Sequence, residues 1–183
     1  MSISIHVKNI KISFHTKSEP NTLREVAKQL VKEKKIFPSF FVYKFSTFTF
    51  IIYYTGHINV TGLRLLNDIY LCYTHLVTIP GVSEVHAVKI DNITLSGQVS
   101  LKPYRFIPFI KAQAIKSSFD KIRFSQEIFP GAQFKLFNKG TLVLFRSGKF
   151  NLVGIKNYSD AIHLTEALIK DLSSFNEKHD TLL

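Results

Sequence analysis

Tryptophan is absent from this chain of 183 residues, and cysteine and methionine occur once each. A lone cysteine, Cys72, cannot form an internal disulfide or a cysteine zinc cage. Acidic residues are scarce: 13 Asp and Glu stand against 24 Lys and Arg, a formal net charge of +11. No apolar run reaches membrane length. The longest, Phe45 to Tyr54, is broken by Ser and Thr and is half as long as a membrane helix needs, so no membrane partner is expected. Met1 to Lys8 alternates polar and apolar residues and offers no continuous signal core. The glycosylation-like triplets at Asn59, Asn92 and Asn157 then read as chance, and an intracellular protein is expected. The histidines show no metal-ligand spacing, and neither a P-loop nor G-x-S-x-G occurs. The expectation is no metal, no cofactor and no enzyme.

What is present is a globular composition, 45% hydrophobic and 20% charged, rich in phenylalanine (17) and tyrosine (7). A basic globular chain predicts a polyanionic partner.

The sequence repeats itself. Phe37-Pro38 recurs 92 residues later as Phe129-Pro130, and the same offset carries Phe45 to Phe137, Thr49 to Thr141, Gly56 to Gly148, Asn59 to Asn151, Gly62 to Gly154 and Asp68 to Asp160. Upstream the offset falls to 83, carrying Val7-Lys8-Asn9-Ile10 to Ile90-Asp91-Asn92-Ile93. Two copies of one plan follow, placed at 1–82 and 83–183, in a single pseudo-symmetric unit. Each copy reads as a strand, a helix, three or four short strands and a longer helix. Pro20-Asn21-Thr22 opens the first helix, with Leu23, Val26, Ala27, Leu30 and Val31 at helical spacing. Its counterpart is expected near Pro108 to Ser117, and the closing helices at Leu65 to Val77 and Tyr158 to Leu172. The tail from Ser173 to Leu183 is expected to fray.

Alternate strand residues face opposite sides of a sheet. In Thr49 to Thr55, Phe50 and Ile52 share one side and Ile51 and Tyr53 the other. In Thr141 to Ser147, Leu142 and Leu144 oppose Val143 and Phe145. Both sides are apolar, yet two helices per copy cover only one. The second side is either the core of a sandwich, or covered by a loop, or an exposed binding surface.

The run Phe129-Pro130-Gly131, then Leu142-Val143-Leu144-Phe145-Arg146-Ser147-Gly148-Lys149 and Leu152-Val153-Gly154-Ile155-Lys156, resembles the core of the TATA-binding protein family. Its pattern there is F-P-G, a strand ending I-F-x-S-G-K, then V-L-T-G-A-K. The first copy is similar through Phe37-Pro38, Ile52-Tyr53-Tyr54-Thr55-Gly56-His57 and Val60-Thr61-Gly62, and the family's V-Q-N-I opening resembles Val7 to Ile10 and Ile90 to Ile93. The resemblance implies an α+β fold, a two-repeat saddle with a curved antiparallel sheet and helices on its convex face. It implies a transcription initiation factor that binds and bends A·T-rich double-stranded DNA through the minor groove.

By position, the family's intercalating aromatics fall on Phe37, Tyr53, Phe129 and Phe145. Tyr53 departs from the pattern, since its hydroxyl would need a partner within a base stack. Minor-groove contacts are implied at Asn9, Asn92, Thr61, Val153, Asn59, Asn151, Ile51, Val143, Lys11 and Thr94. Val153 removes one of two central hydroxyls, and Asn59 and Asn151 replace family valines, so the preferred sequence is expected to differ from a strict TATA box. Phosphate contacts are implied at Lys44, Arg64, Lys135, Lys149 and Lys156, with Tyr43 and His57 replacing two other basic positions. Glu127 matches a glutamate on the loop that meets transcription factor IIB, so a IIB-like protein and the RNA polymerase machinery are implied partners. The family's basic convex helix is replaced by the apolar stretch Leu65 to Val77. The other reading keeps the saddle as a protein-interaction module whose DNA binding is weak or partner-dependent. Richness in Phe, Ile, Lys and Asn, typical of A·T-rich coding, points to a divergent lineage, a large DNA virus or parasitic eukaryote. The location would then be the nucleus or a cytoplasmic virus factory.

Overall fold

The computed structural model describes residues 3–180, with Val88 and residues 178–180 described by their backbone alone. The elements run β1 (Ser4–His15), α1 (Pro20–Leu30), β2 (Phe40–Phe45), β3 (Phe48–Tyr53), β4 (His57–Leu63) and α2 (Asn67–Thr78). They continue with β5 (His86–Gln98), α3 (Phe106–Ile115), β6 (Lys121–Ser125), β7 (Phe129–Leu136), β8 (Gly140–Phe145), β9 (Lys149–Ile155) and α4 (Tyr158–Asp180). The chain forms two compact units, one of Lys8–Asn92 and one that joins the chain before Lys8 to everything from Ile93 onward. In the first unit the antiparallel order is β2-β3-β4-β1. In the second it is β5-β9-β8-β7-β6.

Local chemistry explains the helices. Pro20 occupies the first turn of α1, where its missing N–H costs nothing, and Leu23, Val26 and Ala27 point into the core. The helix ends as the Val31 N–H bonds back to the Ala27 carbonyl and the chain turns extended. α3 begins at Phe106, two residues before the expected Pro108, because a proline in the first turn is tolerated. α4 extends well past the expected Leu172. Its buried stripe of Ala161, Leu164, Leu168 and Leu172 runs on to Phe175, only 2% exposed, so the expected fraying does not begin at Ser173. Residues 181–183 of that tail lie outside the described residues. No helix among the described residues is long and apolar enough to cross a membrane.

Helices pack on one face of each sheet. In the first unit His75 of α2 stacks on Phe45 and lies near Tyr43 and Phe50, while Arg24 of α1 lies 4.4 Å over the Tyr54 ring. In the second, Phe109 of α3 meets Phe134 of β7 and Phe175 of α4, with Phe119 also against Phe134. Cys72 lies on the buried side of α2; burial, with Asp68 a lesser influence, pushes its thiol pKa up to about 12. That thiol is a core group, not a nucleophile.

The units share one device. Pairing slips between Ile10 and Ile12 against β4, and between Ile93 and Leu95 against β9. The slip is absorbed at Gly62 (φ 98°) and Gly154 (φ 76°), and a Cβ on Gly62 would lie 2.5 Å from the Thr47 carbonyl oxygen. The hairpin turns differ. Phe45 pairs with Phe48 across a two-residue turn, whereas Leu136 pairs with Gly140 across three residues. The 92-residue offset is therefore 91 within β2 and β7: Phe45 corresponds to Leu136, not Phe137, and Tyr43 to Phe134.

Phe134 is fully buried, with ring centroids 6.0 Å from Phe109 and 5.1 Å from Phe119. Phe134→Ala is expected to lower unfolding free energy by about 3–5 kcal/mol, measured by urea denaturation.

Candidate nucleic-acid interface

Strand alternation leaves one half-open face on each unit. On β3, Phe48, Phe50 and Ile52 are buried while Thr49, Ile51 and Tyr53 are half-buried. On β4, Ile58 and Val60 are buried while His57, Asn59 and Thr61 are not. The second unit repeats this: Leu142 and Leu144 are buried against half-buried Thr141, Val143 and Phe145, and Phe150 and Leu152 against Asn151 and Val153, the last 36% exposed. A sandwich core would have closed both faces. The helices occupy the other one.

Strand register aligns the open-face residues in rows. One row of the first unit runs Val42, Ile51, Asn59, Ser13, and the next runs Lys44, Thr49, Thr61. The second unit has Arg123, Gln133, Val143, Asn151, Ser96, and beside it Lys121, Lys135, Thr141, Val153. Ile51, Asn59 and Thr61 thus come together, as do Val143, Asn151 and Val153. Thr94 lies half-buried between buried Ile93 and Leu95, on the same side as Ser96. Asn92 is half-buried one residue before that bulged stretch.

Asn9 has a structural duty. Its Oδ1 accepts the Gly62 N–H at 2.7 Å and the Thr61 hydroxyl at 3.0 Å, which fastens β1 to the glycine bulge. Val153 has no hydroxyl and cannot donate such a bond. Lys11 extends its ammonium to within 3.7 Å of Asp91.

The aromatics gather at the ends of these faces. Phe129 meets Phe145 edge to face with centroids 6.0 Å apart, above Gly131, where a Cβ would lie 2.8 Å from the Phe129 ring and 3.0 Å from the Phe145 ring. In the first unit Phe37 stacks on Phe40 at 4.6 Å, and Phe40 reaches Tyr53 at 5.4 Å. Phe37 and Phe129 are 40% and 39% exposed. Phe40 was absent from the sequence expectation, although it closes the Phe37-Pro38-Ser39 turn. Tyr53 has His57 on its other side at 5.8 Å, and a His57 ring nitrogen lies 3.1 Å from Asn59 Oδ1.

Basic groups edge the faces. Lys44 and Lys135, corresponding residues of β2 and β7, are exposed on the open-face rows. Lys149 is exposed at the start of β9 on the alternation of Asn151 and Val153, and Arg64 and Lys156 are exposed just beyond β4 and β9. Tyr43 belongs to the other face, where its hydroxyl lies 3.2 Å from His75 Nε2, and burial lowers the pKa of that histidine. Lys121 and Arg123 on the edge strand were missed. Their signal is the alternation Lys-Ile-Arg-Phe-Ser, which sets both on one side. Glu127 is exposed in the turn before β7, next to Ile128.

Residues 87–175 match the family described as transcription factor TFIID, or TATA-binding protein (TBP). The second repeat belongs to the TATA-binding protein family. The chain as a whole has the TBP fold: it is similar to the solved structure of Methanococcus jannaschii TBP, with a TM-score of 0.67 and 22% identity over 97% of this chain and 99% of that one. Two other solved structures share less. A rolling circle replication initiator protein from Geobacillus stearothermophilus gives a TM-score of 0.40 at 11% identity over 91% of this chain and 79% of that one. Heterotetrameric sarcosine oxidase from Corynebacterium sp. U-96 gives 0.33 at 11% identity over 94% and 85%. No curated protein sequence matches the chain.

In this TBP-like chain Asn9 helps to hold the fold, through its bonds to Gly62 and Thr61. Asn9→Ala leaves the Gly62 N–H without its partner and is expected to cost about 1–3 kcal/mol in denaturant titrations.

Proposed function

We propose that this chain is a transcription initiation factor that binds the minor groove of A·T-rich promoter DNA and bends it. The observation that carries the reading is the half-open face of each unit, apolar and amide-lined, ending in exposed aromatics and edged by lysines. Such a face suits the minor groove. Apolar and small polar groups fit the acceptor edges of A·T pairs there, and a guanine amine would clash with an apolar side chain. TATA-binding proteins are themselves a known instance of wedge insertion: aromatic wedges unstack base steps, and the bent duplex covers more protein surface in return. In this assignment Phe37, Tyr53, Phe129 and Phe145 are the wedges. Asn9, Asn92, Asn59, Asn151, Thr61, Thr94, Lys11, Ile51, Val143 and Val153 line the groove. Lys44, Arg64, Lys135, Lys149 and Lys156 hold phosphates, joined by Lys121 and Arg123 on β6.

Glu127 and Ile128, exposed in one turn, offer an acidic and apolar contact for a transcription factor IIB-like protein, with the polymerase machinery recruited through it. A second reading rests on α2 and the loop before it, where Leu65, Leu66, Tyr70 and Leu71 are exposed. That surface favours a protein-interaction module whose DNA binding depends on a partner.

A fluorescence assay of bending on an A·T-rich duplex at fixed salt decides between them. Wild type is expected to bend the duplex, and Phe129→Ala with Phe145→Ala to weaken bent-complex formation at least tenfold, as loss of base–aromatic stacking implies. Unaffected bending would refute the wedges. No bending by wild type, with or without a partner factor, would favour the interaction module.

Lys44→Ala and Lys135→Ala are each expected to weaken binding to all sequences alike. Each should also reduce the slope of log affinity against log salt by about one, read from titrations at several salt concentrations.

A further inference from the structure

The open face of the first unit carries a carboxylate. Asp91, on β5, accepts a hydrogen bond from Ser13 Oγ and lies 3.7 Å from Lys11 Nζ and 3.8 Å from Lys89 Nζ. Its side chain is 18% exposed. Ser13 stands in the open-face row with Asn59, whose Oδ1 is 3.4 Å from the same hydroxyl. Asp91 is therefore fixed beside residues assigned to the groove, with a lysine on either carboxylate oxygen.

An ionised carboxylate can only accept hydrogen bonds. The minor-groove edges of A·T and T·A pairs present only acceptors, and the one donor available in that groove is the exocyclic amine of guanine. Facing an all-A·T site, Asp91 meets acceptor against acceptor and gains nothing beyond its lysines. Facing guanine, it finds a donor that no other base offers. At the position that corresponds to Asp91 in the other copy, the chain has a lysine, Lys8, and no carboxylate.

Resting on the minor-groove reading above, we propose that Asp91 is a specificity residue that accepts a hydrogen bond from the guanine amine. The preferred duplex is then A·T-rich but holds a G·C pair where the Lys8–Asn92 unit lies. Ser13 positions the carboxylate, and Lys11 and Lys89 offset its charge and so lower its repulsion from the phosphates.

Inosine tests this, because it differs from guanine by the missing amine. Binding is measured at fixed salt on an A·T-rich duplex in which one pair at a time is changed to G·C or to inosine·C. Wild type is expected to bind the G·C duplex about tenfold more tightly than its inosine counterpart at one or two positions. Asp91→Ala should level that ratio while still binding the all-A·T duplex, and a thermal melt checks its folding. Should it unfold, the near-isosteric Asp91→Asn takes its place, with the ratio reduced. Inosine·C bound as well as G·C at every position overturns the inference alone, as does a preference that survives in the folded variant. Failure of wild type to bind any duplex overturns the minor-groove reading and this inference with it.

Discussion

One-sided packing of helices is the constraint on which the rest depends. A strand cannot choose its side-chain directions: neighbours point opposite ways. Once α2 sits over Phe50 and α3 over Phe134, with Phe175 of α4 against Phe109 of α3, the directions of Ile51, Val143 and Phe145 are settled. They face away from the helices and stay half-buried. Apolar area left in water carries a standing cost of about 25 cal/mol per Å², recovered only when something covers it. A duplex laid on that face would recover it.

The repeat was legible because it rests on residues with strong local requirements. Gly62 and Gly154 both take positive φ, and Gly56 and Gly148 do so at turns. The start of α1 was legible for the same reason, through Pro20 and the apolar spacing behind it. The aromatics Phe37, Phe129 and Phe145 stood out by resemblance, and their exposure or half-exposure is a matter of packing that no single sequence displays.

Other features were hidden for physical reasons. A hairpin turn one residue longer shifts the correspondence of a whole strand, so a constant offset put Tyr43 at a rim position when its hydroxyl meets His75 among the helices. Two consecutive serines, Ser173 and Ser174, interrupt the apolar stripe of α4 by composition, yet Phe175 resumes it one turn after Leu172. β6 is only five residues long, so the alternation that sets Lys121 and Arg123 on one side was brief and passed unnoticed. Asp91 sat in plain view within the repeated motif. Its meaning comes from partners as distant in sequence as Ser13 and Lys11.

The two units consequently differ in what they can offer a duplex. In the first, Asn9 gives its carbonyl to Gly62 and Thr61, so the amide end that remains is a donor, suited to the acceptors N3 and O2 of the groove. Lys11 adds a second donor there, and Asn59 is engaged by His57 and Ser13. In the second unit Val143, Val153 and Phe145 present carbon, which against a duplex would discriminate by shape and exclude a protruding amine. On the proposed function, the first unit would offer a duplex amide, ammonium and carboxylate groups, whereas the second sets Val143, Val153 and Phe145 among Gln133, Asn151, Ser96 and Thr141. Internal duplication therefore does not imply a symmetric target. On the proposed function, the same scaffold with a few open-face residues changed would give the duplex a direction.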